Sequence, residues 1–192
     1  MKLSSISLII AALATIVTAL GSRRVPYAGY AVRHAEEARL SWHTSSYAQQ
    51  VGRPDIAESQ AKIASQQHTH RIQHEAADND KGQYDKETLH SADEACQLRQ
   101  AHEKEISQQQ TAASKRHKAS IEKSKKAARI LEGAGKHKDA AYYYGAIVQH
   151  AEYGIGHEAA LNGDHECAVH LSSTKLCDIM DKRADAVISN YT

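Results

Sequence analysis

The sequence predicts an all-α protein, and three observations carry that prediction. Alanine, glutamine, lysine and glutamate, which are good helix formers, are abundant along the chain. Proline occurs only twice, as Pro26 and Pro54, at positions where a helix can begin. No stretch alternates between apolar and polar residues for long enough to predict a β-strand. We therefore expect an irregular helical bundle or a short array of α-helical hairpins.

Glycine-containing and polar breaks divide the chain into about six or seven helices. The predicted helices cover residues 27–51, 55–78, 84–112, 115–133, 137–153, 156–162 and 164–189. The first of them carries a stripe of small residues, at Ala28, Ala31, Ala35 and Ala38, that ends at Trp42. Small side chains let a neighbouring helix approach closely, and Trp42 is expected to anchor the core.

The N-terminus is expected to be a secretory signal peptide. Residues 1–21 combine a basic start with an apolar run over residues 8–20 and small residues at the end of that run. The run is shorter than the roughly 20 residues that span a bilayer. Residues 22–26 then form a short basic leader with a candidate dibasic processing site at Arg23-Arg24, and residues 27–192 form a single all-α domain.

The predicted location is therefore extracellular, and the charge of the chain does not point to nucleic acid. Lys and Arg number 24 against 23 Asp and Glu, so the totals supply no basic excess for a phosphate backbone. No second long apolar run follows the signal peptide, so we expect no membrane span in the mature chain. The 13 histidines would gain charge in a mildly acidic compartment, because their unperturbed pKa is about 6.5.

The cysteines are disulfide candidates, because secreted proteins mature in an oxidising environment. They are Cys96, Cys167 and Cys177, so at most one disulfide can form within the chain. On one continuous helix Cys167 and Cys177 would lie about 15 Å apart, too far for a disulfide. They can pair only if the helix breaks near residues 172–174; the alternative, which we favour, pairs Cys96 with one of them.

A weak internal repeat is present in the second half of the chain. Residues 135–140 and 163–168 share a glycine, a histidine and an alanine at the same spacing, and residues 52–57 keep the glycine and the alanine. With Tyr144 four positions after Ala140, this pattern resembles tetratricopeptide-like helical hairpins. The resemblance covers about half the chain, and the spacing of 28 residues departs from the roughly 34 of that family. It implies paired helices joined at turn glycines.

The stretch HTHRIQH holds the candidate metal ligands. On a helix His70 and His74 lie about 40° apart and share a face, whereas His68 points elsewhere. The pair can hold a zinc or copper ion only if another helix supplies a third ligand. The alternative is that His74 is a hydrogen-bonded core residue.

Motifs of known catalytic sites are not recognised in the sequence, so no enzymatic activity and no cofactor are expected. His165 and His170 are five positions apart, whereas the zinc-protease motif needs histidines four apart on one helix face. The spacing of Glu87 and His90 occurs in di-iron bundles, but no second copy follows.

Two groups of residues are candidates for binding a protein partner. Three successive tyrosines, Tyr142 to Tyr144, cannot all be buried on one helix, and tyrosine is favoured in binding surfaces. A basic run that includes Lys123, Lys125 and Lys126 could meet an anionic surface, although such a run is often only a solvated helix face.

The sequence therefore predicts a secreted, non-enzymatic helical protein that binds a protein partner. A small secreted helical protein of this composition is similar to many secreted proteins of fungi and fungus-like microbes, so an effector-type role is a candidate. The alternative is a secreted protein that uses its histidines to bind metal or to respond to pH.

Overall fold

The structure is a computed structural model, and it describes residues 27–80 and 87–191. Within these ranges the chain forms five α-helices, one 3₁₀ turn and no β-strand. The elements are α1 (Tyr27–Gln50), α2 (Pro54–Asp80), α3 (Glu87–Gly133), α4 (His137–Leu161), the 3₁₀ turn Leu171–Ser173, and α5 (Thr174–Tyr191). The predicted all-α class is confirmed.

Two glycines in left-handed conformations reverse the chain between helices. Gly52 joins α1 to α2 with a φ of 81°, and Gly135 joins α3 to α4 with a φ of 72°. Glycine adopts this conformation without the steric penalty of a Cβ atom. Each turn is only three residues long, so the helices on either side pack as antiparallel hairpins. The predicted breaks at these two glycines are confirmed.

Two other predicted breaks are wrong. Residues 84–112 and 115–133 were expected to form separate helices, but α3 runs unbroken through alanine, threonine and serine, which a helix tolerates. The predicted helices 137–153 and 156–162 likewise form one helix, α4. The glycines of α4 serve close packing, because a Cβ atom at Gly156 would lie 2.2 Å from Cγ2 of Val169.

The last helix begins later than predicted. Residues 164–170 form turns and irregular backbone, and α5 starts only at Thr174 rather than at residue 164. This irregular segment is held against the turn between α1 and α2. The N–H of Leu171 donates to the carbonyl of Val51 at 2.9 Å, and a Cβ atom at Gly52 would lie 2.1 Å from the ring of His170.

The long helix α3 belongs to the second hairpin and also contacts both helices of the first. α1 packs along α2, while α4 and α5 both pack along α3. A buried ion pair joins the first hairpin to α3, because Nε of Arg99 donates to Oε1 of Glu37 at 2.7 Å and both side chains are at least nine-tenths buried. With 47 residues α3 is about 70 Å long.

The core is built mainly from alanine. One cluster lies between α3, α4 and α5, and a second lies where the turn between α1 and α2 meets α3 and the irregular segment. The expectation that Trp42 anchors the core is wrong, because its side chain is 53% exposed and lies beside Ala61 and Ser65 of α2.

Residues 1–26 lie outside the described residues, and with them the predicted signal peptide (1–21) and basic leader (22–26). Among the helices that the structure describes, none combines the length and the apolar character that crossing a bilayer requires.

Candidate metal centre

Two histidines and one cysteine meet in the interior, where α3, α4 and α5 come together. His117, His150 and Cys177 come from these three helices in that order, and all three are fully buried. Nδ1 of His117 lies 2.9 Å from Nδ1 of His150 and 3.3 Å from Sγ of Cys177. Sγ of Cys177 lies 3.9 Å from Nδ1 of His150. Three metal-ligating atoms therefore converge on one point.

The separations between these atoms agree with a tetrahedral metal site. Metal–nitrogen bonds of about 2.0–2.1 Å and a metal–sulfur bond of about 2.3 Å place ligand atoms about 3.3–3.6 Å apart. The observed separations, from 2.9 to 3.9 Å, bracket that range. Imidazole and thiolate ligands together favour zinc and copper over the oxygen-seeking ions magnesium and calcium.

Helical periodicity brings each ligand to the shared interior. On α4 the buried residues recur every three or four positions, and His150 lies between Ala146 and Gly154 in that series. On α5 Cys177 shares its buried face with Met180 and Ala184. The whole buried face of α4 comprises Ala140, Tyr143, Ala146, His150, Gly154, Gly156, His157 and Ala160.

An ion pair fixes α5 against α3 beside the cysteine. The guanidinium of Arg116, which precedes His117, donates to Oδ1 of Asp178 at 3.0 Å and also to Oδ2 of Asp181. Asp178 follows Cys177 directly, so this contact sets the position of the thiol along α3.

Hydrogen bonds behind the histidines assign their protons. Nε2 of His117 and Nε2 of His157 each lie 3.1 Å from the hydroxyl of Ser173, and Nδ1 of His157 is bonded to Oε1 of Gln110. The network closes when His117 donates to Ser173, Ser173 donates to His157, and His157 donates to Gln110. In that arrangement Nδ1 of His117 carries a lone pair toward Cys177, as a metal ligand requires.

A buried carboxylate lies close to the second histidine ligand. Nε2 of His150 and Oδ1 of Asp181 are both buried and have no hydrogen-bond partner among the described residues. The charge of Asp181 opposes the fall in the pKa of His150, so the two groups interact. A carboxylate beside a ligand histidine is a common feature of metal sites, where it orients the ring.

Burial keeps the ligands uncharged when no metal is bound. Burial first, and then the nearby His150 and His157, lower the pKa of His117 to about 4. Burial also lowers the pKa values of His150 and His157, and it raises the pKa of the Cys177 thiol. Near neutral pH both imidazoles are therefore uncharged, and binding of an ion would release a net proton only from the thiol.

The histidines predicted as metal ligands, His70 and His74, lie in the first hairpin and form a separate group there. The ring centroid of His34, on α1, lies 5.4 Å from that of His70 and 5.0 Å from that of His74, both on α2. His34 and His74 are buried. A histidine of another helix therefore lies beside the predicted pair, and whether the three rings bind a metal stays a prediction.

The predicted partner-binding tyrosines point in different directions. Tyr143 is buried in the core between α3, α4 and α5, whereas Tyr142 and Tyr144 are each almost half exposed. Of the lysines, Lys123 pairs with Asp185 at 2.9 Å and Lys125 pairs with Glu122 at 2.7 Å, while Lys126 is exposed.

All three cysteines are free thiols in the structure. Cys167 is exposed in the irregular segment, Cys96 is half-buried on α3, and Cys177 faces the two histidines. The chain does break between Cys167 and Cys177, as their pairing would require, but these two cysteines remain unpaired.

No motif in the sequence marks His117, His150 and Cys177 as a metal site, although one signal for two nearby histidines is present. The residues HEAA occur twice, at 74–77 and at 157–160, a shift of 83 positions. The same shift relates the turn glycines Gly52 and Gly135, and it relates RH at 33–34 to RH at 116–117. This repeat at 83 residues indicates His117 and His157 as a pair, but it does not indicate Cys177.

Comparison of the chain with protein-family models finds no matching family, and searches of curated proteins and of solved structures find no match either.

Proposed function

We propose that this protein binds a transition-metal ion, zinc or copper, through His117, His150 and Cys177. The observation that carries the proposal is the convergence of two imidazole nitrogens and one thiol within 3.9 Å of one another in the interior. The hydrogen bond between Nε2 of His117 and Ser173 supports the proposal, because it keeps the proton of His117 on Nε2 and leaves Nδ1 free to bind an ion.

The proposed role is binding of the ion rather than catalysis on a substrate. Three protein ligands leave the fourth position of a tetrahedral ion unfilled, as in catalytic zinc sites. All three side chains are fully buried, however, so a substrate has no direct access to an ion held there. Because the ligands come from α3, α4 and α5, a bound ion joins these helices and stabilises the folded state. Stabilisation follows from the preference of the ion for the folded chain.

Secretion is part of the same proposal. It rests on the apolar run at residues 8–20 and the basic residues that follow. The protein would then bind the ion outside the cell, which is the metal-binding alternative that the histidine content indicated. Retention of the protein inside the producing cell would contradict this part.

Calorimetric titration of the metal-free protein with zinc tests the proposal. We expect a tight binding event with one ion per chain that Cys177→Ser weakens at least about 100-fold, because even a lost second-shell partner costs about 10–100-fold. Cys167→Ser is the matched control, since that thiol is exposed and is not among the three converging ligand atoms. Equal binding by the wild type and Cys177→Ser would contradict the proposal.

A second candidate function is binding of a protein partner. The observation that favours it is an exposed apolar stripe on the outer side of α4, where Tyr144, Val148 and Ile155 are 44%, 58% and 67% exposed. Exposed apolar residues on one helix face are typical of interaction sites. An effector-type role belongs to this candidate, as does the resemblance to tetratricopeptide-like hairpins.

Affinity capture from the medium and from a neighbouring organism's extract tests this second candidate. We expect a partner to be retained by the wild type and lost with the double variant Val148→Asp/Ile155→Asp. The control is Val32→Asp, at an exposed position on α1. Equal retention by both variants would count against the α4 surface.

A further inference from the structure

The first hairpin repeats the arrangement of side chains that surrounds His117. His34 and His117 are 83 positions apart, and so are His74 and His157. His34 stacks on His74 with ring centroids 5.0 Å apart, and His117 stacks on His157 at 5.4 Å. The third ring of each group also corresponds, because His70 contacts His34 just as Tyr153, 83 positions later, contacts His117.

Gln67 lies 83 positions before His150, and its side chain contacts His34 as the side chain of His150 contacts His117. Oε1 of Gln67 lies 2.6 Å from Nδ1 of His34, whereas Nδ1 of His150 lies 2.9 Å from Nδ1 of His117. The amide of Gln67 is oriented by a second bond, because its Nε2 donates to the carbonyl of Ser91 at 3.2 Å. Oε1 of Gln67 is therefore an acceptor, and Nδ1 of His34 carries the proton.

This assignment leaves a buried lone pair on His34. With the proton on Nδ1, Nε2 is the basic nitrogen, and it is buried without a hydrogen-bond partner among the described residues. A histidine whose Nδ1–H is held by a carbonyl oxygen while Nε2 remains basic is arranged as metal ligands usually are. Nδ1 of His70 lies 2.8 Å from the hydroxyl of Ser91, which can donate or accept in this hydrogen bond.

We propose that His34, His70 and His74 form a second metal site, made only of imidazoles, for a divalent late transition-metal ion such as zinc. It is independent of the centre at Cys177, since the two groups share no residue. Without a thiolate it has no preference for the softer copper(I) ion.

The second site needs a local rearrangement before it can bind. An imidazole lone pair lies in the plane of the ring, and the rings of His34 and His74 are only 14° from parallel. Two parallel stacked rings cannot both direct a nitrogen at one ion, so the ring of His74 must rotate on binding. This rotation costs free energy, and we expect the second site to bind more weakly than the centre at Cys177.

Zinc titration of the metal-free full-length protein tests this proposal separately from the first. We expect two ions per chain, one tight and one weaker. His34→Ala should abolish the weaker event and leave the tight one, and Cys177→Ser should do the reverse. His68→Ala is the control, because this exposed histidine lies on α2 but outside the group, and it should change neither event.

Circular dichroism and thermal melting establish that each variant is folded. If His34→Ala does not fold, His70→Ala decides the question, since His70 is only partly buried, and it should weaken the second event at least tenfold. A wild type that binds a single ion would overturn the proposal. So would a second event that survives both the His34 and the His70 substitution, because it would then arise from other surface histidines.

Discussion

The hydroxyl of Ser173 lies 3.1 Å from Nε2 of His117, and it lies at the same distance from Nε2 of His157. The serine is in the 3₁₀ turn that precedes α5, so the segment that delivers Cys177 also orients a histidine from α3. The orientation of one ligand and the position of another are thereby coupled.

Ser173→Ala should weaken zinc binding by about 10–100-fold, the usual cost of losing a hydrogen bond to a ligand histidine. The substitution removes the acceptor that keeps the proton of His117 on Nε2 and leaves all three ligands in place. Competition with a zinc chelator of known affinity measures the change. Ser172→Ala is the control, because the side chain of Ser172 is bonded to His170 instead; an equal loss in both variants would refute a specific role for Ser173.

Zinc binding at the Cys177 centre should release close to one proton per ion near neutral pH. Burial lowers the pKa values of His117 and His150, so the neutral imidazoles lose no net proton on binding, whereas the raised pKa of Cys177 keeps the thiol protonated. Affinity should therefore rise about tenfold for each unit of pH between about pH 6.5 and 8.

Calorimetry in buffers of different ionisation enthalpy counts the released protons, and His34→Ala isolates this centre for the measurement. Release of two or three protons would mean that the histidines are charged before the metal binds, against the burial described above.

The metal-free protein should lose stability on mild acidification. The unfolded chain takes up protons on its histidines near pH 6.5, whereas the folded pKa of His117 is about 4 and those of His150 and His157 are also lowered by burial. Between these values the unfolded state binds more protons, so the free energy of unfolding falls as pH falls from about 6.5 toward 4. Each such histidine contributes up to about 1.4 kcal/mol per pH unit.

Urea denaturation at pH 7.5, 6 and 5 measures this slope. His157→Gln should reduce it, and His68→Ala, which removes an exposed histidine, should leave it unchanged. Stability that is constant over this range would contradict the presence of neutral, buried histidines in the core.

Replacement by alanine should change the stability of the protein in opposite directions at two glycines of α4. Gly156→Ala should destabilise the protein by about 1–3 kcal/mol, because the new methyl group would overlap Cγ2 of Val169. Gly145→Ala should stabilise it by about 0.5–1 kcal/mol, because nothing lies within 4 Å of the added atom and alanine favours the helix. Thermal unfolding of the pair provides the comparison, and a stabilising Gly156→Ala would contradict the close contact.

The sequence was sufficient to predict the helical class and the turns at Gly52 and Gly135, because both depend on local conformational preferences. The predicted break at Gly154 and Gly156 is wrong, because α4 continues through both glycines. A glycine that ends a helix and a glycine that allows close packing look alike in sequence, and only the neighbour, here Val169, distinguishes them.

The candidate metal centre is harder to predict from the sequence than the fold is. Its ligands are separated by 33 residues from His117 to His150 and by 27 from His150 to Cys177, so no short motif contains them. The local pattern HTHRIQH did mark one histidine group, because His70 and His74 share a helix face. The contribution of His34 depends on how α1 packs against α2, which spacing within one helix cannot predict.

The most direct test of the central claim is the absorption spectrum of the protein with cobalt(II) in place of zinc. We predict a thiolate-to-cobalt charge-transfer band and the intense visible bands of a tetrahedral ion in the wild type and in Cys167→Ser. The charge-transfer band should be lost in Cys177→Ser while the variant remains folded. A wild-type spectrum without the charge-transfer band, or a band that persists in Cys177→Ser, would contradict a metal centre built on His117, His150 and Cys177.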